Sequence, residues 1–518
     1  MPPFVNFAGG SDAPDSAFVD SERSVNWFPV KAEAPGAKAP LSLKPTPGLT
    51  VQFTLPTAPA LALLEINGRV FAATPQALYE IVYSGGTISY VSRGSLNSGL
   101  TSLHMATNGK QICIVSSGTN LFPTGAQLGG IFDLTANTLT PITPTGSAAG
   151  FSGGSNVICI DGYFIVLTPN SQTFYISGLY DGTSWSALDF ANARGGPDNL
   201  VQIIANNREL WLFGQQRIEC YYDSGNAGFP FSRNNNVFIE TGCAAAETVC
   251  QFGGTLAWLG RDKRGGAVVY LLNGYTPQRI SNSAIEYYLQ GYRQVNGASD
   301  YTGVTAFVMQ RLGRTFYVLR LPTYSGSPGY TFVYDLTTGL WHEWLSWDAA
   351  NSRYVAHIGG PAYVFAFGMR LITDAGSGLP GTNAANIYQI ADVFYTDAGI
   401  PIQRMRTAPH LVEERKRLFY RRFSLDLNLG YSDSDGSPAA YSVLPAGTTI
   451  CALSWSDDGG QTYSLPLPLT TNDLTSAKNQ IAWRRLGHAR DRIFRVTSNA
   501  AYGVTLANAF LELDEGRS

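Results

Sequence analysis

The chain has 518 residues and a formal net charge of -3; 14% of its residues are charged and 12% aromatic, and it carries 55 glycines and 28 prolines. So few charges beside so many aromatic rings exclude a disordered chain, and the lack of any G-x-y period excludes a collagen-like one. The near-neutral balance gives no reason for a surface coated with nucleic acid, though it is compatible with a channel through which DNA slides with few phosphate contacts.

Strands and turns use these residue types, whereas long surface helices do not, so the expected class is mainly β. The start, MPPFVNFAGG, has neither a basic stretch nor an apolar h-region, and no run of 18 apolar residues occurs anywhere. No secretory leader and no membrane anchor are therefore expected. Residues 1–58 read as an extended N-terminal arm, punctuated by Pro29, Pro35, Pro40, Pro45 and Pro47. Proline fixes φ and removes an amide donor, which suits an extended leader and not a helix. Its apolar anchor is Trp27-Phe28-Pro29-Val30, expected to dock on the domain C-terminal to it.

Residues 59–399 repeat one unit loosely: a turn, a strand, a turn, a strand. The marks are Asn67-Gly68, Asn108-Gly109, Asp161-Gly162, Asn207-Arg208, Gly253-Gly254 and Leu312-Gly313, with Gly359-Gly360 as a candidate last one. The intervals each hold a four-stranded sheet, and radial repetition of such sheets is a β-propeller, here with six or seven irregular blades. Phe332 to Trp344 shows a strand, a polar glycine turn and a second strand with tryptophan; Ile131–Leu139 and Tyr180–Trp185 are weaker echoes. Within Arg217-Ile218-Glu219-Cys220-Tyr221-Tyr222, period-2 alternation puts Ile218, Cys220 and Tyr222 on a core face and Arg217, Glu219 and Tyr221 on a half-exposed one. Helix is scarce: Ser283–Gln290 suits two turns, with Ser283 as N-cap and Glu286 completing a capping box, carried as a peripheral insertion.

Residues 400–518 read as a separate C-terminal β-sandwich-like domain. Phe423–Leu429 and Ile493–Thr497 alternate, and Thr448–Ser456 is a further strand. Arg404 to Arg422 holds seven basic residues against Glu413 and Glu414. Two basic clusters, Arg415, Lys416, Arg417, Arg421 and Arg422, and then Arg484, Arg485, Arg490, Arg492 and Arg495, are candidates for a docking face toward an acidic partner or phosphates; the plainer alternative is a solvated sheet rim.

Catalytic chemistry is poorly supported. The five histidines, His104, His342, His357, His410 and His488, are scattered and no H-E-x-x-H occurs, so no metal site is expected. Glycoside hydrolysis needs two carboxylates in one cleft, and nothing in the spacing of Asp181, Glu209, Glu219 and Asp335 brings two together. Ser456-Asp457-Asp458-Gly459-Gly460-Gln461-Thr462-Tyr463 fits the Asp-box S-x-D-x-G-x-T-[WY], which is a hairpin turn first and a glycosidase clue second. The six cysteines lack C-x-x-C pairs and read as small buried hydrophobes. No cofactor is expected.

Motifs spread along the chain in matching order carry a resemblance. They are Trp27-Phe28-Pro29-Val30; Leu43-Lys44 with Pro47-Gly48; Phe213-Gly214 with Ile218-Glu219 and Tyr222; Pro277, Ile280-Ser281 and Ser283-Ala284-Ile285-Glu286; Leu453-Ser454 with Asp458-Gly459; and Trp483-Arg484-Arg485-Leu486-Gly487. In these the chain resembles the packaged-DNA stabilisation proteins of P22-like short-tailed bacteriophages, the tail hub or nozzle family. It departs at Arg484-Arg485, where the family shows Lys-Arg, and in longer loops around 321–330 and 371–386. The resemblance implies a virion structural protein, not an enzyme, made in the bacterial cytoplasm and resident in the tail. It implies a hexameric homo-oligomeric ring below the head-to-tail adaptor, carrying tail spike, fibre or needle proteins, with DNA passing the channel without sequence-specific binding. The rival readings are a propeller-type carbohydrate-binding protein or glycoside hydrolase, and a host-surface adhesin.

Overall fold

The structure is a computed structural model and describes residues 7–12, 16–33, 39–117, 119–125, 127–193, 195–226, 228–261, 266–295, 301–324, 327–414, 416–429, 447–474 and 480–516. Among these, seven four-stranded antiparallel units form blades: six use four consecutive strands each, over 62–95, 104–141, 156–192, 200–239, 250–279 and 305–343, and the seventh uses three strands over 359–391 completed by Gly48–Thr54. The innermost strand of each blade lies beside that of the next, and Gly359–Ala366 of the seventh lies beside Ala62–Ile66 of the first, so the ring is closed. The expected propeller is present, and the blade number is seven.

The second strand of a blade explains why simple alternation fails in this region. Val70, Phe71, Ala72 and Ala73 are all fully buried. Val70 and Ala72 pack toward blade seven, with Leu371 and Ile387, while Phe71 and Ala73 pack toward blade two, with Ile112 and Phe132. A strand with a neighbouring sheet on each face reads as a continuous apolar run. The same geometry corrects the reading of Arg217–Tyr222. Ile218 and Cys220 pack toward blade five, but Tyr221 packs toward blade three and is buried as they are. Glu219 is buried beside it, paired with Arg233 at 2.9 Å and accepting from the Gly195 amide at 2.7 Å. Tyr222, at the strand end, is exposed. The repeated turn marks join first and second strands, with positive φ at Asn67 and Gly68, Asp161 and Gly162, and Leu312 and Gly313. In blade seven that turn is Phe367-Gly368, while Gly359-Gly360 opens the innermost strand.

The helix runs Ser283–Val295, longer than two turns. Its cap is Asn282, whose Oδ1 accepts from the Ile285 amide at 3.0 Å. Glu286 instead takes Arg279, at 2.7 and 2.8 Å, and the Ser281 hydroxyl. Ile285 and Leu289 are fully buried in the core between blades five and six, so the helix is part of the propeller wall and not a peripheral insertion.

The C-terminal strands form a sandwich. One sheet orders Trp27–Lys31, Leu41–Pro45, Val504–Glu515, Leu418–Leu429 and Gln480–Arg484. The other continues from blade six without a break: Leu340–Glu343, Arg23–Val25, Arg404–Thr407, Asp491–Ser498, Thr449–Ser456 and Leu467–Thr470. Arg23–Val25 is the splice, parallel to the blade strand and antiparallel to the sandwich strand. Residues 23–54 thus add a strand between the two units, a hairpin to the sandwich and the outer strand of blade seven. Gly48 begins that last strand where a Cβ would lie 2.5 Å from the Thr396 carbonyl and 2.6 Å from that of Phe394, so only glycine fits.

Trp27 and Phe28 sit on opposite faces of one strand. Trp27 fills the sandwich core and donates its indole N–H to the Val504 carbonyl at 2.8 Å; Phe28 fills the core between blades six and seven, against Phe316 at 5.7 Å. Trp27→Ala is expected to destabilise the sandwich by about 3–5 kcal/mol, read as a lower denaturation midpoint. Phe28→Ala is expected to cost a similar amount in the propeller. Exchange protection lost in the sandwich for Trp27→Ala and in blades six and seven for Phe28→Ala would check the division; loss in the same strands for both would contradict it.

Candidate assembly surface

The tunnel of the propeller is crossed by side chains. His104, on the innermost strand of blade two, places Nε2 3.2 Å from Oε1 of Glu247, which stands on the short turn before the innermost strand of blade five. Two blades separate them along one side of the ring and three along the other, so the pair spans the opening. Beside it the Asn156 amide of blade three donates to Gln202 of blade four, and Gln202 Nε2 donates to the Ala246 carbonyl at 3.1 Å. Burial works to lower the His104 pKa, but the charge and hydrogen bond of Glu247 outweigh it and raise it above 6.5. Glu247 is likewise opposed by burial and held below 4.5 by His104.

The two basic clusters converge in part. Arg422 and Arg484 are register partners on adjacent strands, and Glu512 lies opposite Arg422 on the other side, so the three form a row on the outer face. Phe423, Trp483 and Leu511, one residue along, face the core. Acids neutralise much of the first cluster: Lys416 meets Glu515 at 3.2 Å and Glu414 at 3.6 Å, Arg421 pairs with Asp514, and Arg422 reaches Glu512 at 3.4 Å. The hydrogen bond that Lys416 donates to the Glu515 carboxylate raises the Lys416 pKa. Arg417, Arg484, Arg485 and Arg490 are exposed and have no ion pair among the described residues. Arg415 lies outside the described residues. Arg421, Arg484 and Arg485, with Phe419, Asp514 and Glu515, line an open groove of about 800 Å³.

Arg492 does not belong to this surface. Its side chain is 2% exposed, its guanidinium grips Asp457 at 2.6 and 2.7 Å, and it lies 4.5 Å from the Tyr420 ring and 5.1 Å from the Trp455 ring. The alternation of strand Asp491–Ser498 carried the signal: Arg492 shares a face with Phe494 and Val496, both core.

The residues that would have suggested a glycosidase are bound into the scaffold. Glu209 accepts from the Tyr275 hydroxyl at 2.7 Å, Asp335 pairs with Arg314 at 2.7 Å, Asp181 caps its own turn through Thr183, and Glu219 holds Arg233. The Asp-box is the turn between Thr449–Ser456 and Leu467–Thr470. Asp458 accepts from the Ser456 hydroxyl at 2.6 Å and the Thr462 amide at 2.9 Å, which holds its pKa down at about 2. Gly459 and Gly460 supply φ of 72° and 89° there. Among the described residues no three His, Cys, Asp or Glu side chains are grouped to hold a metal, and no helix is long and apolar enough to cross a membrane.

Family models match nearly the whole chain. One, Phage_stabilise, described as the bacteriophage P22 Gp10 β-propeller, covers residues 5–379, and a second, the bacteriophage P22 Gp10 β-sandwich, covers residues 403–514. No curated protein matches it in sequence. Among solved structures, the crystal structure of the WD40 β-propeller domain of Doa1 is similar over 66% of this chain and 96% of that chain, at 8% identity and a TM-score of 0.37.

The charge linkage across the tunnel has a definite pH signature. The pair stabilises fully between the ordinary values of 4.5 and 6.5, and its contribution is lost as pH rises through the raised His104 value or falls through the lowered Glu247 value. Glu247→Gln is expected to lower Tm most near about pH 5.5 and little above about pH 9, and to move the His104 titration, followed by NMR, downward. An equal Tm loss at both pH values would show that the charge pair is not what the substitution removes.

Proposed function

Because this chain belongs to the bacteriophage P22 Gp10 family of phage stabilisation proteins, we propose that several copies stand side by side in the tail and enclose the DNA path between them. It is a structural component of the tail hub that serves to stabilise packaged DNA, and it is not an enzyme. The observation that supports a path between copies is the crossed tunnel: side chains from opposite sides of the propeller meet at 3.2 Å, so no duplex threads a single subunit. A ring of copies, six in the family's pattern, supplies a wide conduit that one chain lacks. A net charge of -3 suits a conduit that lets DNA slide, since each phosphate contact would add salt-dependent affinity.

The outer edge of the sandwich is the proposed docking face. Arg484 and Arg485 stand together without acid partners among the described residues, next to the ring of Phe419, which is 42% exposed. Exposed guanidinium groups beside an aromatic ring suit a carboxylate-bearing protein surface. The partners proposed on family grounds are the head-to-tail adaptor above and spike, fibre or needle proteins below.

Cryo-EM of the native particle tests the arrangement. Density for a ring of these subunits around a continuous channel below the portal is expected, and density only at fibre tips would replace the hub reading with receptor binding. Arg484→Glu with Arg485→Glu is expected to change stability by no more than about 0.5 kcal/mol, as surface changes do, while reducing incorporation into particles. Unchanged incorporation would remove this edge as a docking face.

A further inference from the structure

Three fully buried polar side chains lie at the junction of propeller and sandwich. Asp397 is 1% exposed, His357 2% and Arg404 0%. Asp397 belongs to the short strand Thr396–Asp397 beside Gly48–Thr54, His357 follows the hairpin strand Arg353–Ala356, and Arg404 opens the sandwich strand Arg404–Thr407. The Arg404 guanidinium lies 6.0 Å from the ring of Tyr395, two residues before Asp397, and burial lowers the Arg404 pKa while the Asp397 charge opposes that shift. Asp397 Oδ2 takes the Ser346 hydroxyl at 3.3 Å and stands 3.7 Å from His357 Nε2.

Four atoms of this group have no hydrogen-bond partner among the described residues: Nε and Nη2 of Arg404, Oδ1 of Asp397 and Nε2 of His357. Arg404 Nη1 is satisfied by the Ala500 carbonyl at 2.9 Å. The His357 tautomer follows from its other nitrogen: Nδ1 accepts from the Gly359 amide at 3.0 Å, so the proton is on Nε2. The unpaired set is therefore three donor nitrogens, carrying four N–H bonds, and one carboxylate oxygen. Polar atoms of buried charged groups are costly when they lose water and gain no partner, so these atoms call for an occupant.

We infer that this cluster is a binding site for ordered water, which accepts from Arg404 and His357, donates to Asp397, and joins the sandwich to the propeller. The donor set excludes the other small candidates. A cation would meet the Arg404 guanidinium and an anion would meet the Asp397 carboxylate, whereas water both accepts and donates, and a buried water ordinarily makes about three such bonds. The site belongs to the chain itself and does not rest on the assembly proposed above.

A crystal structure of the full chain at a resolution that shows ordered solvent is the test. Density within hydrogen-bond distance of both Asp397 Oδ1 and an Arg404 nitrogen is expected; a direct Asp397–Arg404 ion pair, or a dry gap, overturns the inference. Crystals soaked in bromide are expected to show no anomalous peak there, and a peak would make the site an anion site. Asp397→Leu and Arg404→Met are each expected to lower Tm by several degrees, and the double variant by less than the sum; additive losses would mean that the two groups share no bridge.

Discussion

The architecture depends on one strand that serves two cores. Adjacent residues of a strand point to opposite faces, and at Trp27 and Phe28 those faces belong to different units. The indole fills the sandwich and the phenyl ring fills the gap between blades six and seven. Neither unit can shed this strand without opening a cavity the size of an aromatic side chain. The backbone on either side does the same work in hydrogen bonds: Arg23–Val25 closes the gap between a blade strand and a sandwich strand, and Gly48–Thr54 completes blade seven. Two units that share a continuous sheet have no free hinge at that edge.

Charged groups buried along the same seam make the splice specific. Arg406 is fully buried and donates to the carbonyls of Phe7 at 2.5 Å and Gly10 at 2.7 Å while pairing with Glu22, so it gathers the N-terminal segment against the sandwich. Arg23 forks onto Glu343 at 2.9 and 2.5 Å, and Asn26 donates to the Leu345 and Gln403 carbonyls at 2.8 and 2.7 Å. Buried charges add less stability than apolar packing of equal volume would, but a strand slipped by one residue would leave them unpaired, which is a heavy penalty. The polar seam therefore holds the register that the two aromatic residues require.

This is a scaffold suited to bearing load. Among the described residues, seven inter-blade cores, a sandwich core and a small junction core of Val25, Leu345 and Met405 are linked by strand pairing, the turns are held by local side-chain bonds, and the sandwich edge strand Leu467–Thr470 carries Pro468, which blunts it against unwanted pairing. The groups that in other contexts do chemistry are here engaged with one another: carboxylates with arginines, the Asp-box with its own turn, His104 with Glu247 across the tunnel. On the sandwich rim, by contrast, Arg484 and Arg485 offer charge outward.

The sequence by itself determined the class and the repeat. Aromatic-rich, charge-poor composition and recurrent turn residues at positive φ are local properties, and they were enough for a propeller followed by a second β unit, for the Asp-box as a turn, and, with the ordered motifs, for the family. The apolar residues of the alternating run, Phe423, Leu425 and Leu427, do lie in the sandwich core, although Ser424 and Asp426 between them are buried as well. Tertiary structure decided the rest. The buried placement of Tyr221 and Glu219 follows from having a blade on both faces, which no alternation records. The cap at Asn282, the apolar face of the helix and the interior position of Arg492 depend on neighbours far along the chain. The number of blades turned on residues 48–54, which lie hundreds of positions from the strand they pair with. Only the folded chain buries Asp397, His357 and Arg404 at one junction, because each is unremarkable within its own segment and its burial depends on neighbours far along the chain.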